Sequence, residues 1–130
     1  DNGHDVNFLK NGFTPLVMAA YGGHVDAVRL LLDAGASVDK PAAGGNTALM
    51  GISFKGYADV ARLLIERGAD LNLQNDGGST ALMFATQFGR NELVKLLIEH
   101  GADTSIRDAR GLTALDIASQ HGNEGAKQWL

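Results

Sequence analysis

The four histidines are the side chains in this sequence best suited to hold a metal ion or transfer protons. They are His4, His24, His100 and His121, and no two have the four-residue spacing that places two ligands on one helix face. His24 and His121 lie in predicted turns. His100 precedes a glycine at a predicted helix end, where the helix dipole stabilises a charged imidazolium group. We interpret the histidines as structural and predict no metal site.

The residues that could support nucleophilic or acid–base catalysis do not form a recognisable motif. The chain has no cysteine, which excludes disulfides and thiolate chemistry, and it has no Gly-x-Ser-x-Gly turn. Asp26, Asp59 and Glu92 recur near predicted helix starts, where a negative charge is stabilised by the helix dipole. The glycine pairs at 44–45 and 77–78 lack the lysine and hydroxyl of a phosphate loop. We therefore predict a protein that is not an enzyme and has no cofactor.

Composition and charge narrow the class of partner. Of the 130 residues, 45% are apolar and 20% charged, and the formal net charge is -4. No apolar run approaches the roughly 20 residues that cross a bilayer. Nucleic-acid binders usually present a basic face, whereas here Lys and Arg are scattered among acids. The sequence predicts neither nucleic-acid binding nor membrane insertion, and it leaves open a basic patch assembled only in three dimensions.

The residues discussed so far are positioned by a repeating unit. Five columns of identical residues recur at intervals of 33, which predicts a stack of equivalent structural units. The columns are Gly12, Gly45, Gly78 and Gly111; Thr14, Thr47, Thr80 and Thr113; Leu16, Leu49, Leu82 and Leu115; Gly23, Gly56, Gly89 and Gly122; and Gly35, Gly68 and Gly101.

Each unit is predicted to form two short helices. The threonine caps the first helix, which covers residues 16–21, 49–54 and 82–87 in successive units. A glycine turn separates it from the second helix, over residues 25–33, 58–66 and 92–99, and another glycine ends that helix. Such short helices are marginal alone, so their apolar stripes must pack against neighbouring units. The predicted fold is an all-α repeat solenoid of helix-turn-helix units joined by β-hairpin-like loops.

The unit resembles the ankyrin repeat along nearly the whole chain. The resemblance rests on Gly12-Phe13-Thr14-Pro15-Leu16, Ala19-Ala20-Tyr21-Gly22-Gly23-His24, Leu30-Leu31-Leu32, Gly35-Ala36 and Gly68-Ala69-Asp70-Leu71-Asn72. It implies one ankyrin repeat domain over residues 1–130. Residues 12–44, 45–77 and 78–110 would be full repeats, 1–11 the tail of a preceding repeat, and 111–130 a partial terminal repeat.

Several positions depart from the ankyrin pattern. The histidine that usually follows Thr-Pro-Leu is replaced by Val17, Met50, Met83 and Asp116. Gly51 lies inside a predicted helix, where glycine costs about 1 kcal/mol relative to alanine. Lys127 occupies a position that is apolar in the other units, which suits a terminal unit without a neighbour. We expect Met18 and Phe84 to point into the core.

The resemblance also implies where a partner would dock, namely on the loop tips and the exposed end of each first helix. The corresponding positions are Lys10, Asn11, Phe13 and Tyr21; Asn46, Phe54 and Lys55; Asp76, Ser79, Gln87 and Phe88; and Arg107, Arg110, Leu112, Gln120 and His121.

Three aromatic residues among these positions define the strongest candidate for a contact surface. Tyr21 and Phe54 are one repeat apart and should align along a groove, while Phe88 lies one residue beyond the equivalent Gln87. Exposed rings are typical of interface anchors. The alternative is that the rings fold back and cover the seam between units.

The leading hypothesis is a monomeric protein–protein interaction scaffold that binds another protein through its concave face and loop tips. Two alternatives remain. The chain could be a structural or regulatory ankyrin segment of a larger protein, or an engineered repeat protein with no native ligand. The identity of the partner and the cellular compartment are not indicated by the sequence.

Overall fold

The computed structural model describes residues 6–130, which form eight α-helices in four consecutive pairs and no β-strand. The helices are α1 Pro15–Tyr21, α2 Val25–Asp33, α3 Ala48–Lys55, α4 Ala58–Glu66, α5 Ala81–Gln87, α6 Asn91–Glu99, α7 Ala114–Gln120 and α8 Glu124–Lys127. The predicted helices agree with these bounds to within one residue, which confirms the all-α solenoid. The β-hairpin-like form of the loops stays a prediction. His4 and the other residues from 1 to 5, which begin the predicted tail at residues 1–11, lie outside the described residues.

The first helix of every pair starts at a threonine cap, as predicted. The hydroxyls of Thr14, Thr47, Thr80 and Thr113 accept hydrogen bonds from the backbone N–H three residues later, at 3.1 to 3.3 Å. These bonds satisfy N–H groups that have no partner within the helix. In the last unit the carboxylate of Asp116 accepts in return from the Thr113 N–H at 3.0 Å. Asp116 thus braces the turn from the position where the ankyrin pattern has histidine.

The helix pairs stack into two layers. The first helices form one row, in which α1, α3, α5 and α7 pack against their successors, and the second helices α2, α4, α6 and α8 form the other row. Equivalent leucines Leu16, Leu49 and Leu82 are buried between the rows, as are Val28, Ala61 and Val94. The core is therefore a continuous apolar seam that no single unit could bury alone.

Side chains in the loops join neighbouring units. The Asn7 Oδ1 atom accepts from the Ser37 N–H at 2.8 Å, and the Asn72 Oδ1 atom accepts from the Asp103 N–H at 2.8 Å. Between them the Asp39 carboxylate accepts from the Asp70 N–H at 3.0 Å. These bonds recur at nearly the repeat interval, so the loops are held in register along the stack.

The glycine columns are explained by backbone conformation. All eleven glycines of the columns that begin at Gly12, Gly23 and Gly35 have positive φ values, between 67° and 96°. A side chain strains this region of conformational space, and glycine does not. The recurrent turns and helix ends therefore require glycine, which is why the sequence period is so clear.

The two ends of the stack expose positions that inner units bury. Leu30 is 69% exposed, whereas its equivalents Leu63 and Leu96 are 6% exposed. Leu115 is 43% exposed, although Leu82 in the same column is 1% exposed. The prediction that Met18 points into the core is wrong for the same reason, because no described unit packs against its outer side. Phe84, by contrast, is partly buried and packs against the core, as predicted.

The last helix, α8, is only four residues long. Lys127 is partly buried there, and its ammonium group pairs with Glu124 at 3.0 Å. The unit is also tied to its neighbour by the amides of Asn91 and Asn123, which exchange hydrogen bonds of 3.0 and 2.8 Å. Asn123 further donates to the Thr86 carbonyl at 2.9 Å. Polar contacts thus replace part of the apolar packing at this end.

Candidate functional site

Three aromatic side chains from successive units form a continuous row. The rings of Tyr21 and Phe54 are nearly parallel, with centroids 6.2 Å apart, and Phe54 meets Phe88 edge-to-face at 4.4 Å. Both arrangements are favourable for aromatic pairs. Phe88 joins the row although it is one residue out of register, because α5 ends one residue earlier in its unit than α3 does. We call these three residues the aromatic row.

The aromatic row both covers the seam between units and faces outward. Phe54 is partly buried between its two neighbours, whereas Tyr21 is 42% and Phe88 39% exposed. The rings therefore cover part of the seam, as one of the two interpretations expected, and their contact with a partner stays a prediction. What remains exposed is a ridge of aromatic surface at the ends of the first helices.

A groove of about 310 Å³ lies beside this row, between α1, α3 and α5. Its walls include Phe13, Tyr21, Phe54 and Phe84, with further lining from Val17, Ala42, Ala43, Asn46, Thr47, Met50 and Gly51. Most of the surface is apolar. We call this depression, defined by these residues, the Gly51 groove.

Gly51 lines the groove and, because it carries no side chain, leaves space between the neighbouring rings. The equivalent positions in the other units hold Met18, Phe84 and Ile117, all of them large. A β-carbon at Gly51 would lie 3.3 Å from the Cδ1 atom of Tyr21. The glycine that interrupts the pattern of helix-forming residues therefore creates the space between the rings.

Two cations flank the aromatic row. The ammonium group of Lys55 lies 5.0 Å from the centroid of the Tyr21 ring, within the range of a cation–π contact. The Arg90 Nε atom donates to the carbonyl of Phe54 at 3.0 Å. Lys55 was predicted as a contact position from the sequence. Arg90 was missed, and its only signal was its location in the turn that follows Phe88.

The predicted contact residues at the second and third loop tips are engaged in hydrogen bonds. The Asn46 Oδ1 atom accepts from the Asn75 amide at 2.8 Å, and the Asn75 Oδ1 atom accepts from the backbone N–H groups of Gly77 and Ser79. Asn46 and Ser79 are therefore held in place by Asn75. Asn46 lines the groove, and Ser79 lies at the next loop tip along the stack.

At the fourth loop tip, Arg110 and Leu112 are organised by a buried carboxylate that sequence reasoning missed. Asp108 accepts from the backbone N–H groups of Arg110 and Leu112 at 2.9 and 3.0 Å, and from the Arg110 guanidinium at 2.8 and 3.1 Å. Burial of Asp108 raises its pKa, but these hydrogen bonds and the positive charge lower it more, so the pKa lies below its ordinary value. The signal was present in the sequence, because Asp108 follows Asn75 by one repeat.

The remaining predicted contact residues are not brought into the groove. Gln87 is partly buried at the end of α5, while Gln120 and His121 are exposed at the end of α7. Within the described residues, no ring contact or side-chain hydrogen bond links them to the aromatic row. The structure therefore gathers Phe13, Tyr21, Asn46, Phe54, Lys55 and Phe88 into one region and leaves the fourth unit as a separate extension.

Neither a metal site nor a membrane span is found in the described part of the chain. From residue 6 onward, no group of three or more His, Asp or Glu side chains is arranged to hold a metal ion. None of the eight helices is both long and apolar enough to cross a membrane.

Comparison with known protein families identifies the repeat. A family model described as ankyrin repeats (3 copies) matches the chain twice, over residues 2–75 and 52–130. Together the two matches include every helix described above. No curated protein matches the sequence.

Proposed function

Because the chain belongs to the ankyrin repeat family, whose members are generally protein–protein interaction modules, we propose that it binds a partner protein through the Gly51 groove and the aromatic row. The family is typically a non-enzymatic scaffold. The single observation that supports this location is the row of partly exposed rings beside an apolar groove. Exposed apolar clusters of this kind are typical of interaction sites.

The chemistry of the groove suits an apolar anchor from the partner. Burying one large apolar side chain contributes about 1.5 to 3 kcal/mol. Tyr21 and Phe54 offer the ring faces and edges on either side, and aromatic residues commonly dominate interface energetics. Phe13 extends the apolar surface toward the first loop tip. The groove therefore supplies the centre of the proposed interface.

The loop tips would form the rim. Asn46 and Ser79 are positioned by Asn75, so they can contact a partner without losing much conformational freedom. Arg110 and Leu112 would extend the contact along the stack, together with Gln87, Gln120 and His121. We propose these residues as secondary contacts, since polar rim positions usually contribute less than the central anchors.

Ring removal tests this proposal. A partner captured from the native host should bind Tyr21→Ala or Phe54→Ala at least about tenfold more weakly than the unchanged chain. Leu30→Ala is a matched control, because Leu30 is an apolar side chain on the other helix row that is more exposed, at 69%, than Tyr21 at 42%. Circular dichroism would establish that all three variants are folded. If every partner bound both ring variants with unchanged affinity, the groove would not be the interface.

A second candidate function is that of a structural segment within a longer stack of repeats. It is favoured by the exposure of Leu30 and Leu115, whose equivalents are buried between units. Adding one consensus ankyrin unit after Leu130 should bury Leu115 and raise the free energy of unfolding. An unchanged free energy of unfolding would count against this role.

A further inference from the structure

Basic residues line the turns between paired helices, which are the turns next to the aromatic row. The turns cover residues 22–24, 56–57, 88–90 and 121–123. Together with Lys55, the last residue of α3, they contain His24, Arg90 and His121 but no carboxylate. We call this line of turns the basic edge. It belongs to a chain whose net charge is -4. Within a chain of negative net charge, the basic edge is therefore a local stretch without carboxylates.

The acidic residues that lie nearest to these turns in the sequence already have partners. Asp26, Glu92 and Glu124 at the starts of second helices pair with Arg29, Arg62 and Lys127 at 3.2, 3.5 and 3.0 Å. The Asp59 carboxylate accepts from the Val60 N–H at 2.8 Å.

Lys55 and Arg90 have no such compensation. Between residues 6 and 130, neither of them forms an ion pair with a carboxylate. The C-terminal end of α3 carries about half an elementary negative charge, which offsets only part of Lys55. Two cations beside the groove therefore lack a full counter-charge.

The two cations contact residues that also line the groove. Lys55 lies over Tyr21, and Arg90 is bonded to the carbonyl of Phe54; both rings line the groove. Consecutive Cα atoms of a chain are 3.8 Å apart. A partner that places one side chain in the groove therefore brings the residues next to it within reach of Lys55 and Arg90.

We propose that the partner is an acidic protein segment that seats one large apolar side chain over Gly51 and pairs a neighbouring carboxylate with Lys55 and Arg90. This inference rests on the proposed function and specifies the chemistry of the occupant. A nucleic acid fits less well, since specific binders commonly contact many phosphates and only two strong cations lie here. The opposite charges of the two cations and the occupant's carboxylate would also fix the register of the bound segment.

A display library of random peptides tests the inference without a known partner. Peptides retained by the unchanged chain should carry Asp or Glu within two residues of a large apolar side chain. The best of them should bind Lys55→Glu about tenfold more weakly. The matched control is Lys95→Glu, because Lys95 also lies over a ring, at 5.3 Å from Trp129, in the other helix row. That variant should keep the affinity within about twofold.

Further variants separate failure of this inference from failure of the proposed function. If Tyr21→Ala abolishes peptide binding but the peptides show no acidic preference and Lys55→Glu binds normally, the acidic occupant is wrong and the groove stands. If peptide binding survives both Tyr21→Ala and Phe54→Ala, the groove itself is wrong. Binding of single-stranded oligothymidine that Lys55→Glu abolishes would overturn the acidic segment in favour of nucleic acid.

Discussion

Replacing Gly51 with alanine provides the sharpest test of how α3 and the groove are related. Gly51 is the fourth residue of α3, where glycine costs about 1 kcal/mol relative to alanine. The new methyl group would lie 3.3 Å from Tyr21 Cδ1, slightly inside the 3.5 to 4.0 Å at which carbon atoms attract best. Because Tyr21 is partly exposed, its ring can move outward by a few tenths of an ångström.

The expected result is a small net stabilisation. Moving the Tyr21 ring weakens its contact with Phe54, and such aromatic contacts are worth about 0.5 to 1.5 kcal/mol in full. Losing a fraction of this leaves a gain of roughly 0.5 kcal/mol in the free energy of unfolding. Urea denaturation followed by far-ultraviolet circular dichroism would measure it as a higher midpoint with an unchanged slope.

A double-mutant cycle identifies the cause. In a Tyr21→Ala background the ring is absent, so Gly51→Ala should give the full gain of about 1 kcal/mol. Equal gains in both backgrounds would show that Tyr21 does not limit the space above Gly51. Destabilisation in both backgrounds would refute the reasoning, because the helix preference for alanine would then be outweighed by a contact that the structure does not show.

Three further predictions concern the loop tips and caps. Asp108→Ala should lower the free energy of unfolding by about 2 to 3 kcal/mol in urea titrations, because two backbone N–H groups and a guanidinium lose their acceptor. Asp108→Asn should lower the free energy of unfolding by less. The pKa values of Asp103 and Asp116 are lowered, mainly by hydrogen bonds from Ser105 and Thr113 respectively, and Asp108 is lowered as well. Their stabilising contribution is therefore complete above about pH 4 and is lost as the pH falls through the lowered pKa values. The melting temperature should drop over that pH range, and it should drop less in Asp116→Asn. An unchanged drop in that variant would contradict the role given to Asp116. Thr80→Ala should cost about 1 kcal/mol through loss of the α5 cap, and thermal melts should show a smaller change for Ser79→Ala, whose backbone N–H keeps its bond to Asn75.

The local architecture of the protein could be predicted closely from its sequence. The threonine caps, the left-handed glycines and the helix spans depend on residues within about one turn of each other. Their chemistry therefore repeats wherever the residues repeat. The candidate site was predicted only in outline, because family positions indicate which residues lie near the concave face but not which of them touch.

The buried carboxylate of Asp108 illustrates a signal that was present but not used. Its interval from Asn75 marks it as a loop-tip acceptor, and only the structure shows that it also holds Arg110. The pairing of Lys55 with the Tyr21 ring has no sequence signal of this kind, because it joins side chains from different units. Arg90 was likewise missed, since its bond spans 36 residues.

What the sequence determined by itself was the unit: two capped helices, a glycine turn and a period of 33 residues, all set by short-range backbone preferences. What only the tertiary structure decided was the environment of each copy. Leu82 and Leu115 both follow Thr-Ala in the sequence, yet one is buried and the other exposed, because only one is covered by a following unit. The groove over Gly51 has the same origin, since a missing side chain becomes a cavity only where the adjacent units supply its walls.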